Sequence, residues 1–174
     1  MTKKIFLAID NTNIYWCEEK VELLKSHIYG IKLGLEFYFH NGNDGVARLS
    51  RFNLPIFLDL KLNDIPTTVS KSLDVIKYLN PAFISIHCNA GAHTLNAAKE
   101  CLTNTNIKLL GVTVLTSNVC QTKDVVKNVE LALECKLDGI ICSANENEFL
   151  RKRFKDKNFV IVNPGIRLKD DRSE

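Results

Sequence analysis

The sequence lacks the features by which secreted, metal-binding and membrane proteins are most easily recognised. Its six cysteines form no Cys-x-x-Cys pair and show no zinc-ligand spacing, and scattered thiols of this kind are typical of a reducing compartment. No apolar run approaches the ~18 residues of a transmembrane helix. The five apolar residues that precede Asp10 are too few for the core of a signal peptide. We therefore expect a cytoplasmic protein with no metal site and no membrane contact.

An excess of charge of one sign is also missing. The 23 basic and 20 acidic side chains give a formal net charge of +3, which is too balanced to indicate a nucleic-acid-binding protein. Hydrophobic residues make up 45% and charged residues 25% of the chain, which are ordinary values for a globular protein. We expect a single domain over residues 1–174, and no nucleic-acid partner.

What the sequence does contain is a regular alternation of short apolar runs and segments with helical spacing. Continuous apolar runs indicate strands that are buried on both faces, as in parallel sheets. Seven runs predict strands at Ile5–Ile9, Ile28–Leu35, Pro55–Leu62, Ala82–Ile86, Leu109–Leu115, Leu137–Cys142 and Phe159–Val162. The spacing between them predicts helices at Ile14–Leu24, Thr67–Leu79, Ala92–Leu102, Gln121–Cys135 and Asn145–Phe154. The polar stretch Asn41–Gly45 is predicted to be a loop.

An alternation of this kind forms either a doubly wound open sheet or a (β/α)8 TIM barrel. No Gly-x-Gly-x-x-Gly follows the first strand, and polar residues stand at the end of nearly every strand, where a barrel has its mouth. The pattern therefore favours an α/β fold of the TIM-barrel type. Seven strands are visible and the sequence then reaches Glu174 in a charged segment, so we expect the eighth strand to be missing. The residues expected at one end are Asp10, Lys32, Asp59, Lys61, Thr116 and Arg167.

The third predicted strand carries charges that need an explanation. Asp59 and Lys61 are two apart, so they share one face of the strand, and burial of unpaired charges is costly. They are either a functional pair or a buried ion pair that only fixes register. Lys32, a lone charge in the second strand, needs a counter-ion that Asp59 can supply. Asp64 continues the alternation of sign, although beside Pro66 a helix-capping role is the simpler explanation for Asp64 alone.

The segment Asp59-x-Lys61-x-x-Asp64-Ile65-Pro66-Thr67-Thr68 resembles the motif of the orotidine 5′-monophosphate decarboxylase family. The same charged element occurs in the related 3-keto-L-gulonate 6-phosphate decarboxylases and hexulose phosphate synthases, but Ile65–Thr68 resembles the orotidylate branch. Further matching segments follow in order along the chain: Leu7–Asp10, Ile31–Gly34, Ile86–Gly91, Gly111–Ser117, Cys142–Ala144 and Asn163–Arg167.

The resemblance implies a lyase that converts orotidine 5′-monophosphate to uridine 5′-monophosphate in pyrimidine biosynthesis without a cofactor. It implies that Lys61 is the cation beside the reacting carbon and then the proton donor, and that Asp59, Asp64 and Lys32 complete the catalytic array. It also implies a homodimer in which Asp64 reaches the partner's site. Substrate contacts are implied for Asp10, Lys32, Ile65, Pro66, Thr67, Thr68, Thr116, Ser117, Pro164 and Arg167, with either Thr116 or Ser117 on the base.

Two alternatives stay open at this point. One is a sugar-phosphate decarboxylase of the same superfamily. The other is an inactive barrel, because the resemblance implies phosphate contacts after the seventh strand of which only Arg167 is present. We expect the 174-residue chain to be poorly active or inactive, and less stable than a complete barrel. The role of His87 is also open, since a histidine after an apolar strand is as well explained by core packing as by a place in the site.

Overall fold

The computed structural model of the protein describes residues 5–114 and 122–166, in which strands and helices alternate along the chain. The strands are β1 (Phe6–Ile9), β2 (Gly30–Leu33), β3 (Ile56–Leu62), β4 (Phe83–His87), β5 (Lys108–Val112), β6 (Gly139–Ile141) and β7 (Val160–Val162). The helices are α1 (Ile14–Leu24), α2 (Leu35–Ser50), α3 (Pro66–Ile76), α4 (Gly91–Cys101), α5 (Thr122–Glu134) and α6 (Asn147–Arg153). Short 3₁₀ turns lie at Lys77–Leu79, Cys88–Ala90 and Ala144–Glu146.

All neighbouring strands are parallel and follow one another in chain order from β1 to β7. A doubly wound sheet reverses its strand order at a switch point, so the sequential order decides for the barrel type of architecture. Within the described residues β1 and β7 form the two edges of the sheet. The seven predicted strands are each confirmed, although several are shorter than the apolar runs that indicated them.

Aromatic contacts across the sheet show that it curls. In a flat sheet β1 and β4 lie three strand spacings apart, about 14 Å. The ring centroids of Phe6 on β1 and Phe83 on β4 are only 5.6 Å apart, and both rings also contact Phe57 on β3. The inner face of the sheet therefore closes on itself as the wall of a barrel does.

Two separate apolar clusters explain the continuous apolar runs. One lies on the inner face of the curled sheet and is formed by Phe57, Phe83, Leu110, Val112 and Ile141. The other lies between the sheet and its helices and includes the residues of β2 to β4 that point the opposite way, among them Leu33, Leu58 and Ile84. Because both faces of the strands are covered, their sequences do not alternate between apolar and polar residues.

The prediction of a loop at Asn41–Gly45 was wrong, because these residues lie inside α2. Gly42 alone leaves the helical conformation, with φ 56° and ψ −155°, and interrupts the helix at that point. Phe37, Val46 and Leu49 are fully buried on one side of α2, so packing against the sheet decides the conformation of a segment whose own composition favours a turn. None of the helices in the described residues combines the length and apolar character that crossing a bilayer requires.

Candidate active site at the carboxyl ends of the strands

Two lysine side chains meet around the carboxylate of Asp59 at the carboxyl ends of β2 and β3. Asp59 Oδ2 accepts a hydrogen bond from Lys61 Nζ at 2.7 Å and lies 3.6 Å from Lys32 Nζ. Lys32 Nζ is in turn 3.8 Å from Asp10 Oδ1. The array of alternating sign that the sequence predicted for Lys32, Asp59 and Lys61 is therefore present in the structure.

The members of this array differ in their access to water. The side chain of Asp59 is 10% exposed, whereas those of Lys32 and Lys61 are 23% and 33% exposed. The carboxylate is thus enclosed, and both ammonium groups retain a path to the open mouth of the sheet. An arrangement of this kind holds a preorganised positive charge where an anionic substrate can reach it.

The backbone of β3 is irregular at the point where it presents Lys61. Leu58 pairs with Ile84 and Leu62 pairs with Ile86, so three residues of β3 lie opposite the single residue Ser85 of β4. Lys61 itself has φ 48°, in the left-handed region that a non-glycine residue seldom adopts. Bulges of this type re-aim a side chain relative to the sheet, and here the change accompanies the close approach of Lys61 Nζ to Asp59.

His87 is half-buried at the end of β4, beside this array. Burial lowers the pKa of His87, and the positive charge of Lys61 lowers it further, while Asp59 opposes the change. The imidazole is therefore neutral at neutral pH, and it adds no further positive charge to those of Lys61 and Lys32.

The motif residues that follow β3 lie on the rim. The carboxylate of Asp64 accepts a hydrogen bond from the backbone N–H of Ile65 at 2.8 Å. Ile65, not Asp64, is the N-cap residue of α3, and the cap has no side-chain hydrogen bond, so Asp64 does not have the helix-capping role considered from the sequence. Within one chain Asp64 forms no ion pair with Lys61. Ile65 is 64% exposed, Pro66 occupies the first position of α3, and Thr67 and Thr68 are exposed.

The remaining predicted contacts divide between two parts of the chain. Pro164 is exposed just beyond β7, next to Asn163, whose side-chain amide donates to the carbonyl of Cys142 at 2.9 Å and exchanges hydrogen bonds with Asn147. Thr116, Ser117 and Arg167 lie outside the described residues. In residues 5–114 and 122–166 no group of three or more His, Cys, Asp or Glu side chains is arranged to hold a metal ion.

Ser85 also belongs to the site and was not predicted from the sequence. Its hydroxyl donates to Asp59 Oδ1 at 2.8 Å and accepts the backbone N–H of Lys61 at 2.9 Å. The available signal was a serine in the middle of the apolar strand Phe83–His87, because a buried hydroxyl needs a hydrogen-bond partner.

A curled parallel sheet with sequential strand order and a lysine–aspartate array at its carboxyl ends defines a barrel enzyme of the kind that acts on anionic substrates. The chain belongs to the orotidine 5′-phosphate decarboxylase / HUMPS family, whose family model matches residues 3–174. This membership agrees with the resemblance that the motif around Lys61 indicated.

Individual relatives support the same assignment. The chain is 38% identical over 183 residues to the orotidine 5′-phosphate decarboxylase of Sphingopyxis alaskensis, covering 99% of this chain and 80% of that protein. It is 41% identical to the enzyme of the same name from Ehrlichia canis, covering 98% of this chain and 79% of that protein. Among solved structures, orotidine 5′-phosphate decarboxylase from Lactobacillus acidophilus superposes with a TM-score of 0.80 at 28% identity, covering 95% of this chain and 82% of that one.

Proposed function

We propose that the chain catalyses the decarboxylation of orotidine 5′-monophosphate to uridine 5′-monophosphate in pyrimidine biosynthesis. The observation that carries this proposal is the shared carboxylate of Asp59, which lies 2.7 Å from Lys61 Nζ and 3.6 Å from Lys32 Nζ in a member of this family. The relatives named above carry the name of the same enzyme.

The array suits the chemistry because negative charge develops on C6 of the substrate, where no conjugated group can delocalise it. When the bond between C6 and the carboxylate breaks, CO2 leaves and the electron pair stays on C6 as a vinylic carbanion. A fixed ammonium group beside C6 stabilises that charge as it forms. Lys61 then transfers a proton to C6, which yields uridine 5′-monophosphate, and water returns a proton to the amine.

Asp59 and Lys32 have supporting roles in this proposal. The hydrogen bond from Lys61 to Asp59 fixes the ammonium group before substrate arrives, so that little reorganisation is needed during the reaction. Lys32 offsets the charge of the enclosed carboxylate from its other side. No step calls for a cofactor, because the lysine supplies both the positive charge and the proton.

Substrate contacts are proposed where the chain matches the family motif. The carboxylate of Asp10 is 61% exposed at the mouth, and we propose that it binds a ribose hydroxyl of the substrate. The other proposed contacts are Lys32, Ile65, Pro66, Thr67, Thr68, Thr116, Ser117, Pro164 and Arg167. The match of the family model over residues 3–174 supports this set.

A homodimer is proposed in which Asp64 completes the array of the partner subunit. Support comes from the exposure of Asp64 and Ile65 and from the lack of any ion pair between Asp64 and Lys61 within one chain. Mixing inactive Lys61→Ala and Asp64→Ala proteins should restore roughly a quarter of the parental activity, because half of the dimers formed at random are mixed and each has one intact site. No recovery after verified subunit exchange would contradict shared sites.

A cytoplasmic location is also proposed. The five cysteines within the described residues are all free thiols, which is usual in a reducing compartment.

The test of the proposed function is the conversion of orotidine 5′-monophosphate by the purified chain, measured as product formed and CO2 released. Lys61→Ala should abolish product formation. Lys152→Ala, which removes a lysine that is 76% exposed on α6, should not. Product formation, even if slow, would support the proposal over the inactive barrel that the missing phosphate contacts suggested. A chain that unfolds cooperatively but forms no product would contradict the proposal, and turnover of 3-keto-L-gulonate 6-phosphate instead would assign the chain to the sugar-phosphate branch.

A further inference from the structure

Ser85 is the residue of β4 that lies opposite the bulge in β3. It is fully buried and stands between Ile84 and Ile86, whose partners on β3 are Leu58 and Leu62. The one residue Ser85 therefore faces the whole bulge of β3, which contains both Asp59 and Lys61.

The hydroxyl of Ser85 takes part in two hydrogen bonds of opposite direction. It accepts the backbone N–H of Lys61 at 2.9 Å and donates to Asp59 Oδ1 at 2.8 Å. One hydroxyl group thus joins the backbone of the proposed proton donor to the carboxylate that holds its side chain.

The first of these hydrogen bonds supports an unfavourable backbone conformation. The bulge takes the N–H of Lys61 out of the regular pairing between β3 and β4, and the residue has φ 48°. A strained conformation of this kind persists only when its surroundings hold it. The hydroxyl of Ser85 replaces the carbonyl that a regular ladder would have supplied.

The second hydrogen bond orients the carboxylate. Because Oδ1 of Asp59 is held by Ser85 inside the sheet, Oδ2 is directed towards Lys61 Nζ at 2.7 Å and Lys32 Nζ at 3.6 Å. Without the Ser85 hydroxyl, the Asp59 carboxylate has no hydrogen-bond partner on β4. It can then rotate about χ2, a torsion with a broad energy minimum.

We infer that Ser85 is a positioning residue for decarboxylation, which sets the backbone of Lys61 and the carboxylate of Asp59 at the same time. The inference rests on the proposed function. Ser85 itself does not touch the reacting atoms, and it acts through the placement of the Lys61 ammonium group.

The test compares Ser85→Thr with Ser85→Val, which have nearly the same shape and differ in the hydroxyl group. Ser85→Thr should keep kcat within about threefold of the parent, and Ser85→Val should lower kcat by more than about tenfold, since a 1 Å displacement of a catalytic group is costly. The dissociation constant for uridine 5′-monophosphate should change by less than about threefold in both, because the loss concerns the transition state. Equal kcat values for the two variants would overturn the inference.

Two further measurements separate positioning from a general loss of packing. Ser85→Ala removes the hydroxyl without added bulk, and should lower kcat as Ser85→Val does. Thr113→Val removes another buried hydroxyl, which donates a hydrogen bond to the carbonyl of Ile141. It should cost stability but leave kcat within about threefold of the parent, and a loss of kcat equal to that of Ser85→Ala would overturn the inference.

Amide hydrogen exchange keeps this inference distinct from the proposed function. The amide of Lys61 should exchange faster in Ser85→Val than in Ser85→Thr, whatever the substrate of the enzyme. If the parent chain does not act on orotidine 5′-monophosphate but exchange differs as expected, the proposed function fails and the structural basis of the inference stands. If the parent chain is active and exchange of the Lys61 amide is the same in both variants, the inference fails alone.

Discussion

Asp59→Asn is the substitution that tests most directly whether the charged array is held together by its shared carboxylate. Asparagine keeps the size of the side chain and an oxygen that can accept a hydrogen bond from the Ser85 hydroxyl. It removes the negative charge that faces two ammonium groups at 2.7 and 3.6 Å, and it directs an N–H towards them. The variant therefore tests the effect of the negative charge of Asp59 while the size of the side chain stays the same.

The expected cost in stability follows from burial. Removing one member of a buried ion pair costs about 3–5 kcal/mol, because the remaining charge is left without a partner. Here the side chains of Lys32 and Lys61 keep 23% and 33% of their exposure, so water compensates in part. We expect a loss near the lower end, about 3 kcal/mol, which corresponds to a fall in Tm of about 6–12 °C for a domain of this size.

The measurement is urea unfolding of the parent, of Asp59→Asn and of the double variant Asp59→Asn/Lys32→Met. The double variant should recover part of the loss, because only one of the two cations that face residue 59 then remains. Glu148→Gln is the control, since Glu148 pairs with Lys152 on the surface of α6 with both side chains more than three quarters exposed, and pairs of this kind contribute little. If Asp59→Asn proved as stable as the parent, the array would not be held together by this charge.

Three more predictions concern Lys61, His87 and two buried cysteines. Lys61→Ala should lower kcat by more than about 100-fold, because loss of even one neutral oxyanion donor costs about 2.7–4 kcal/mol; activity within about tenfold of the parent would exclude Lys61 as the catalytic group. Burial and the charge of Lys61 lower the pKa of His87 in the folded protein below the value of 6.5 for an unperturbed histidine. As the pH falls through 6.5, His87 is therefore protonated in the unfolded chain before it is protonated in the folded one. The folded protein then loses stability relative to the unfolded chain. The free energy of unfolding should therefore fall less from about pH 7.5 to about pH 5.5 in His87→Gln than in the parent, and identical slopes would contradict this assignment. Burial raises the pKa values of Cys88 and Cys142 to about 12, so both thiols are protonated at about pH 8. Both should resist iodoacetamide in the native protein and react in urea, as measured by mass spectrometry of the labelled peptides. Equal rates in the native and the denatured protein would show that the thiols are accessible.

The outline of the fold could be predicted from the sequence because it depends on local patterns. Runs such as Pro55–Leu62 and Leu137–Cys142 are mostly apolar, and a short run of this composition favours a strand that is covered on both faces. The helices α1, α3 and α4 were predicted to within a few residues for a similar reason, since a 3.6-residue period is visible in any short window.

Part of the candidate site was also accessible from the sequence. Lys32, Asp59 and Lys61 are charges inside apolar strands, and a charge in that context needs a partner nearby. Their pairing followed from the expectation that β2 and β3 are neighbours, which the register of Lys32 with Phe57 bears out.

Other features were decided by tertiary structure. The helical state of Asn41–Gly45, apart from the break at Gly42, depends on burial of one side of α2 at Phe37, Val46 and Leu49, which overrides a composition typical of turns. The bulge at Lys61 depends on how β3 meets β4, and its hydroxyl partner Ser85 is 24 residues away in the chain. The sequence alone determined which residues are strands and which charges require partners, because composition and period are local properties. Tertiary structure decided the register of the strands, the left-handed backbone of Lys61 and the place of Ser85 in the site. These features arise only when segments that are distant in the sequence are brought into contact.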